Sequence, residues 1–565
     1  MKQNYKNLPI CQFASLPINR ADSNRLRYWH IGTLLNWHIV VLVTLLFTSC
    51  ESFLDTLPDN RTQIDTEKKI SQLLVSAYPG ANYSVLAELS SDNFIDNNVF
   101  PPKQLAPFER MHDEIFSWSE VTSSTQEDSP SYVWEKCYAA ISAANHALKA
   151  IEELKLKNPD ADIDSQKGEA LLCRAYGHFI LVNIFSQAYR DEIASKSDIG
   201  VPYVTEPETT VKGDYIRESV QSVYARIEKD LEDGFTLLTD RHYAIPKYHF
   251  NKKAAAAFAA RFYLYKRDYQ KVVDYADMVL TANPAAFMRD WTLDYGDNAD
   301  AFGYNYISVD NPSNLLLLPT YSVFDRIFGA RYGLSGDALK GTYYNDNGIN
   351  GPTWSVGLPG ILKNLFYRVN SEYGAFISKA YEMFEYTDKV AGIGYAHVVR
   401  AEFTVEETLL CRAEALIYLN RFNDAVADLQ VWNSSHLAPN VLTETIIRNF
   451  YVPSNSLFVK TLNNDKMSSS FVVTAAQRPL IHCVLHFRRI ETMFDGYRWF
   501  DIKRYGIEIE HNIAGKGTDK LVYNDLRRAI QLPQEVISAG LEPNPRKLTA
   551  VPAGNFRLVN IINNE

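Results

Sequence analysis

Apolar residues recur every three or four positions through most of this chain, and that period predicts a mainly helical, all-α protein. One predicted amphipathic helix covers residues 215–238, and its apolar side consists of Val220, Val223, Ile227, Leu231 and Phe235. A second stripe consists of Trp134, Tyr138, Ile141 and Asn145. A helix with one apolar side must bury that side, so these helices should pack in groups.

Pairs of helices joined by short turns recur along the chain. The sequence Leu-Leu-Cys-Arg-Ala occurs at residues 171–175 and again at 409–413. Residues 252–280 predict another pair, because the run 254–260 is nearly all alanine and Asp268 marks the start of a second helix. Such pairs resemble tetratricopeptide units. We expect about four of them to stack into a scaffold, because no pair can bury its apolar side alone.

Three stretches lack the helical period, at residues 90–118, 283–360 and 433–477. The first two combine aromatic residues with many Asn and Asp residues. That mixture suits a sugar, because aromatic faces stack on the C–H side of a pyranose ring while Asn and Asp hydrogen-bond its hydroxyls. The candidate ligand-binding residues are Asn97, Trp291, Tyr295 and Trp354. The alternative is that these aromatic residues form small apolar clusters beneath long loops.

The N-terminal segment has the features of a secretory signal peptide. Basic residues precede the apolar run 39–47, which is too short to span about 30 Å of hydrocarbon as a helix. Thr48 and Ser49 then place small residues before Cys50, as a lipoprotein signal peptidase requires. We predict that residues 1–49 are removed and that Cys50 becomes the lipidated first residue. The alternative is a buried helix with an incidental cysteine.

The charge of the chain excludes some classes of partner. The sequence has 57 basic and 67 acidic residues, and removing five basic residues and one acidic residue with the leader leaves 52 and 66, a net charge of −14. A strongly acidic surface argues against nucleic acid, whose phosphates need a cationic surface. It also argues against electrostatic docking on anionic lipid, so membrane attachment would depend on acyl chains.

The segment from Arg488 to Arg504 places basic, acidic and aromatic residues close together. Because its charges alternate with Met, Phe, Trp and Ile side chains, several of them must lie against apolar surface, where an unpaired charge is costly. We predict an ion pair between Arg498 and Asp501, which are three positions apart. The segment should therefore be structural rather than catalytic.

The same segment resembles a signature of the SusD/RagB family of outer-membrane nutrient-binding lipoproteins. The matching positions are Arg488, Glu491, Gly496, Arg498, Trp499, Asp501 and Arg504. Residues 53–58, just after Cys50, and residues 530–545 resemble two further family patterns. The departures from the family patterns are Phe487, Thr492 and Gln531. The resemblance covers nearly the whole mature chain.

The resemblance implies a SusD-like fold, in which tetratricopeptide-type helical pairs form a scaffold with a large loop-rich ligand face. It divides the chain into the signal peptide (1–49), an N-terminal helical region (50–282) and a region with the ligand loops and the C-terminal signature (283–565). It also implies a lipid-anchored, surface-exposed protein of the cell outer membrane. Such a protein would bind an oligosaccharide and deliver it to a SusC-like TonB-dependent transporter, with no cofactor and no chemistry on the ligand.

Other functions remain open. Peptide uptake is implied by RagB-like members of the family, and a surface glycan-processing enzyme or a purely structural scaffold belongs to a different class. Glu382 and Glu385 have a spacing compatible with paired carboxylates for glycoside hydrolysis, but such spacings are common in acidic proteins. His482 and His486 have a metal-ligand spacing without an apparent third ligand. We predict no catalytic residue and no metal site.

Four cysteines of the mature chain lie singly in helical patterns. They are Cys137, Cys173, Cys411 and Cys483. None of them forms a C-x-x-C pair, and a secreted chain of this length does not need disulfides to be stable. We therefore predict that all four are small buried helix residues.

Overall fold

The computed structural model describes residues 64–99, 104–207, 215–291, 299–327, 331–342, 351–353, 374–436, 438 and 440–546. Cys50, Tyr295 and Trp354 lie outside the described residues. The described helices are α1 Glu67–Leu74, α2 Ser84–Ser90, α3 Arg110–Phe116, α4 Pro130–Lys157, α5 Asp164–Phe185, α6 Val220–Leu237, α7 Lys252–Lys266, α8 Tyr269–Leu280, α9 Ala299–Tyr306, α10 Phe324–Ile327, α11 Gly336–Lys340, α12 Val405–Tyr418, α13 Phe422–Ser435, α14 Glu444–Phe450, α15 Asn464–Met467, α16 Arg478–Glu491, α17 Tyr497–Tyr505 and α18 Gln534–Ser538. The described strands are β1 Ile95–Asp96, β2 Asn314–Tyr321, β3 Tyr332–Gly333, β4 Met383–Asp388, β5 Ile393–Thr404, β6 Ile509–Ile513 and β7 Gly517–Leu521. The predicted mainly helical fold is confirmed.

Polar caps set the start of the long helices. Ser129, Ser219 and Asn251 each accept a hydrogen bond from a first-turn backbone N–H of α4, α6 and α7. The helix predicted over 215–238 is therefore shorter than expected, since it begins after the Ser219 cap. Its predicted apolar side is buried, apart from the partly buried Phe235. In the described part of the chain, no helix is both long enough and apolar enough to span a membrane.

The long helices pack on one another in series, α4 on α5, α5 on α6, α7 on α8, α8 on α12 and α12 on α13. Small residues allow the closest approaches. A Cβ atom added at Gly168 would lie 2.7 Å from the Gly234 carbonyl oxygen, so α5 and α6 meet backbone to backbone there. Every residue from 254 to 260 is at most 1% exposed, as the alanine-rich run predicts. The four cysteines are free and buried, and that prediction is confirmed.

A three-stranded antiparallel sheet, in the order β2-β5-β4, lies among these helices. β2 pairs with the C-terminal half of β5, where Tyr321 faces His397, and β4 pairs with its N-terminal half. β2 and α9 lie inside the stretch 283–360, which the sequence analysis described as irregular. That description was incomplete, because residues 315–318 are a continuous run of buried leucines whose pattern does not distinguish a strand from a loop or helix.

Gly496 joins α16 to α17 at the C-terminal signature. Its φ of 90° favours glycine, and a Cβ atom there would lie 2.9 Å from the Ala87 Cβ of α2. The Gly496 backbone N–H also donates a hydrogen bond of 2.9 Å to the Glu88 carboxylate. The signature is thereby packed against α2 and the segment that follows it.

Candidate functional site

Four buried charged side chains lie at the centre of the C-terminal signature. Arg488 and Arg504 each contact both Glu414 and Asp501, with N···O distances between 2.6 and 3.1 Å. All four side chains are at most 4% exposed. Burial alone would raise the pKa of Glu414, but Arg504 and Arg488 lower it to about 2. The cluster joins α12, α16 and α17, so it holds three helices in place.

Arg498 has a different partner from the predicted one. Its guanidinium donates two hydrogen bonds to the Asp92 carboxylate, of 2.7 Å from Nε and 2.9 Å from Nη2. The predicted Arg498–Asp501 pair is wrong, because Asp501 instead pairs with Arg504, also three positions away. Burial would raise the pKa of Asp92, but Arg489 and Arg498 hold it well below its usual range. Asp92 therefore stays ionised.

The remaining signature residues are buried as well. Trp499 is fully buried. Glu491 accepts a 2.8 Å hydrogen bond from the Trp432 indole and lies 3.2 Å from the His436 imidazole. Burial would raise the pKa of Glu491, but His436 and nearby cations lower it to about 2. These contacts connect α16 to α13.

Asp92 borders a cleft of about 620 Å³, which we call the main cleft. Its charged lining residues are Asp92, Asp96, Asp337, Glu508, Glu510, Lys460 and Arg489. Its other side chains include Phe94, Ile95, Val99, Phe116, Ile509, His511 and Asn512. Cavities of roughly 300–1,000 Å³ with apolar walls and a few polar groups commonly bind small ligands. The main cleft has that size and that mixture.

Buried contacts fix the inner wall of the main cleft. Arg331 lies 3.0 Å from the Asp96 carboxylate, and the Asp96 side chain is fully buried. The His511 ring stacks between Phe116 and Trp118, with both centroid distances 4.1 Å. By contrast, the outer wall carries exposed polar side chains, which are Asp337, Glu510 and Asn512. Buried contacts therefore hold the inner wall, and exposed polar groups lie at the mouth.

The described candidate residues from the sequence analysis are both buried. Asn97 follows β1 but does not line the main cleft; it is 6% exposed, and its Oδ1 accepts a 2.7 Å hydrogen bond from the Ser335 hydroxyl. Trp291 is 3% exposed and packs against Phe302 and His436. Its ring therefore presents no open face to a sugar, and the two residues do not form a common exposed site.

Most residues of the main cleft were not predicted from the sequence. The stretch 90–118 supplies one wall, and its Asx and aromatic content was the only signal. The other walls come from residues 336–338 on α11, from Leu457 and Lys460, and from residues 508–512 around β6. These segments are short, and nothing in their local pattern indicates that they meet.

A second candidate surface is formed by the β4–β5 hairpin. Phe384, Tyr386 and Tyr395 are 45–52% exposed, and Ile393 is 60% exposed. The ring centroids of Phe384 and Tyr386 are 4.9 Å apart. Exposed apolar patches of this kind are typical of interaction surfaces. We call these residues the hairpin patch.

The carboxylates suggested for glycoside hydrolysis do not form a catalytic pair. Glu382 is paired with Arg326, and Glu385 lies exposed on β4. Burial raises the pKa of Glu88 and of Asp128 to about 7, as a general acid would need. Both side chains, however, hydrogen-bond inside the protein and neither lines the main cleft.

The histidine pair on α16 is also internal. His482 and His486 are 3% and 4% exposed, and His486 Nδ1 lies 2.8 Å from the Tyr451 hydroxyl. Within the described ranges, no group of three or more His, Cys, Asp or Glu residues is arranged to hold a metal ion.

Known proteins are similar to this chain in sequence and in fold. A family model described as "Starch-binding associating with outer membrane" matches residues 52–264. Two SusD-like proteins of Formosa agariphila are similar to most of the chain. One is 22% identical over 535 residues, which is 86% of this chain and 94% of the relative; the other is 23% identical over 485 residues, 75% and 82% of the two chains. The resemblance to SusD-like proteins expected from the sequence is therefore confirmed.

Solved structures support the SusD-like fold. A SusD superfamily protein from Bacteroides thetaiotaomicron superimposes with a TM-score of 0.56 at 18% identity, over 85% of this chain and all of the other. A putative sugar binding protein from Bacteroides vulgatus gives the same TM-score and identity, over 86% and 99% of the two chains. At these identities the similarity concerns the fold alone.

Proposed function

We propose that this SusD-like protein binds a carbohydrate in the main cleft and delivers it unmodified to a SusC-like TonB-dependent transporter. The observation that carries the proposal is the lining of the cleft, where carboxylates and Asn512 alternate with apolar side chains. A sugar ring has hydroxyls that need hydrogen-bonding partners and C–H faces that favour apolar contact. A carbohydrate ligand is supported by the similarity to a starch-binding family and to a putative sugar binding protein from Bacteroides vulgatus.

The proposed binding mode follows from the two walls of the cleft. Three side chains at the mouth can accept hydrogen bonds from sugar hydroxyls, namely those of Asp337, Glu510 and Asn512. These hydrogen bonds would leave the contacts of the inner wall intact. Ile95 and Val99 offer apolar surface to the ring faces. Asp96 is already held by Arg331, so the inner wall needs little ordering when a ligand binds, which favours affinity.

The charge state of the inner wall favours binding over hydrolysis. A glycosidase needs one protonated carboxyl group to act as general acid beside the scissile bond. Asp92 is held ionised by Arg489 and Arg498, and Glu88 and Asp128, whose pKa burial raises to about 7, lie outside the cleft lining. We therefore propose that the ligand leaves unchanged. Release of reducing sugar from a bound glycan by the purified protein would contradict this.

A binding experiment tests the cleft directly. Native affinity electrophoresis against a panel of polysaccharides identifies a ligand, and calorimetry then compares wild type with Asp337→Ala. We expect an affinity loss of about 10- to 150-fold, because one good hydrogen bond to a charged group contributes roughly 1.5–3 kcal/mol. Asp233→Ala is the control, since it removes an exposed carboxylate of α6 outside the cleft lining. Equal affinities for all three proteins, or binding of peptides but of no glycan, would contradict the proposal.

We further propose that the protein is anchored in the outer membrane by acyl chains on Cys50, after removal of residues 1–49. The apolar run 39–47 and the small residues before the cysteine support this. In a cell labelled with a fatty acid, wild type should carry the label and Cys50→Ala should not. A labelled Cys50→Ala protein would contradict the proposal.

A further inference from the structure

A small recess opens beside the main cleft and shares Leu457, Lys460 and Arg489 with it. Its volume is about 20 Å³, which is enough for one water-sized group. Arg498 and the imidazoles of His482 and His486 complete its polar lining. Among the described residues that line it, three are cationic and none is acidic.

The cations of the recess outnumber the carboxylates around them. Asp92 is shared by Arg498, at 2.7 Å, and Arg489, at 3.6 Å. Three other carboxylates act on these cations. Asp501 acts on Arg498 but is itself paired with Arg488 and Arg504, Asp337 is exposed at the mouth of the cleft, and burial raises the pKa of Glu88 to about 7. Asp92 therefore cannot balance Lys460, Arg489 and Arg498 together, and the recess keeps an excess of positive charge.

Among the described cations of the recess, Lys460 is the one without a hydrogen-bond or ion-pair partner. Within the described part of the chain, its ammonium has no hydrogen bond and no ion pair, although the residue is half-buried. Burial lowers its pKa and the charges of Arg489 and Arg498 act in the same direction, while Asp92 and Asp337 act against them. Buried lysines elsewhere have partners: Lys503 donates two hydrogen bonds of 2.6 Å to backbone carbonyls. A half-buried ammonium without such partners is stabilised when an anion binds beside it.

The positive charge does not depend on the histidines. Burial lowers the pKa of His482 to about 4 and that of His486 to about 3, so both imidazoles are neutral near pH 7. The charge comes from Lys460 and the two guanidinium groups. The two guanidinium groups keep their charge across the neutral range.

We propose that the recess is an anion subsite and that the ligand of the main cleft is an acidic glycan. One oxygen of a carboxylate or sulfate substituent enters the recess and contacts Lys460 and Arg489, while its sugar ring lies in the main cleft. Fixed cations at the end of the cleft also attract an anionic ligand locally, although the mature chain as a whole has a net charge of −14. This assignment rests on the proposed carbohydrate binding.

The test compares each anionic oligosaccharide with its neutral counterpart by calorimetry. The probes are an oligogalacturonate with its carboxyl-reduced form, and a sulfated galactan oligosaccharide with its desulfated form. We expect wild type to bind one anionic member at least tenfold more tightly than its neutral form, which also distinguishes carboxylate from sulfate. Lys460→Gln should lose about tenfold more affinity for the anionic form than for the neutral form, and Lys460→Arg should retain most of the affinity for the anionic form.

Lys229→Gln is the matched control, because it removes the same charge from an exposed position on α6 outside the cleft lining. Equal losses in Lys460→Gln and Lys229→Gln would overturn the subsite, as would equal affinity of wild type for anionic and neutral forms. In the second case binding of the neutral forms would leave the proposed function intact. If none of the glycans binds, the proposed function fails, and the subsite fails with it.

Discussion

The buried charge cluster of the C-terminal signature predicts how much the free energy of unfolding falls when one of its carboxylates is removed. Asp501→Ala removes one of two carboxylates that face Arg488 and Arg504, and leaves Glu414 to balance both guanidinium groups. Asp501 is only 2% exposed, so water cannot replace the lost carboxylate without opening the contact between α16 and α17. The folded state would then contain an uncompensated charge.

The magnitude follows from the contacts that are lost. Asp501 accepts hydrogen bonds of 2.6 Å from Arg504 and 3.1 Å from Arg488. Hydrogen bonds to charged groups contribute about 1.5–3 kcal/mol each. Removing one partner of a buried ion pair destabilises a protein by about 3–5 kcal/mol. We therefore expect the free energy of unfolding to fall by about 3–5 kcal/mol.

Urea unfolding at pH 7, followed by tryptophan fluorescence, measures this change. The matched control is Asp424→Ala, because Asp424 also forms an ion pair with an arginine three positions away, Arg421, but in an exposed pair. Exposed pairs contribute about 0–1 kcal/mol, so the control should unfold nearly like wild type. If Asp501→Ala lies within 1 kcal/mol of wild type, as in the range expected for the control, the reasoning about the buried cluster is refuted.

Three further predictions concern other buried residues. Gly496→Ala should lower the free energy of unfolding by about 1–3 kcal/mol, because its φ is 90° and the added Cβ would meet Ala87; a urea transition like that of wild type would contradict this. Burial lowers the pKa of Lys503 from 10.5 to about 7, so the folded state loses that proton first and the contribution of Lys503 to stability rises with pH between about 7 and 10.5. Wild type should therefore gain stability relative to Lys503→Met between pH 6 and pH 9 in thermal melts, and a constant difference would contradict it. Trp291→Ala should cost about 3–5 kcal/mol of stability without changing ligand affinity, and lost affinity at wild-type stability would return Trp291 to the binding site.

The sequence was sufficient for the helical scaffold, because helical periodicity is a local signal. Val220, Val223, Ile227 and Leu231 share a face by spacing alone, and that face is buried. The alanine run at 254–260 likewise predicts close packing, which is observed. β2 was not predicted, because its consecutive leucines do not alternate with polar residues as in a half-buried strand.

The main cleft could not be predicted, because its contacts join distant segments. Arg498 pairs with Asp92, 406 positions earlier, whereas the sequence favoured the local partner Asp501. Composition also cannot tell a buried ring from an exposed one. Trp291 was chosen for its aromatic, Asx-rich surroundings, and the structure places it in the core.

A crystal structure of the protein with a bound oligosaccharide tests the central claim most directly. The account predicts sugar density in the main cleft, with hydroxyls within hydrogen-bond distance of Asp337 or Glu510 and an inner wall unchanged around Asp96. Sugar bound only on the hairpin patch, at Phe384, Tyr386 and Tyr395, with an empty main cleft, would contradict it.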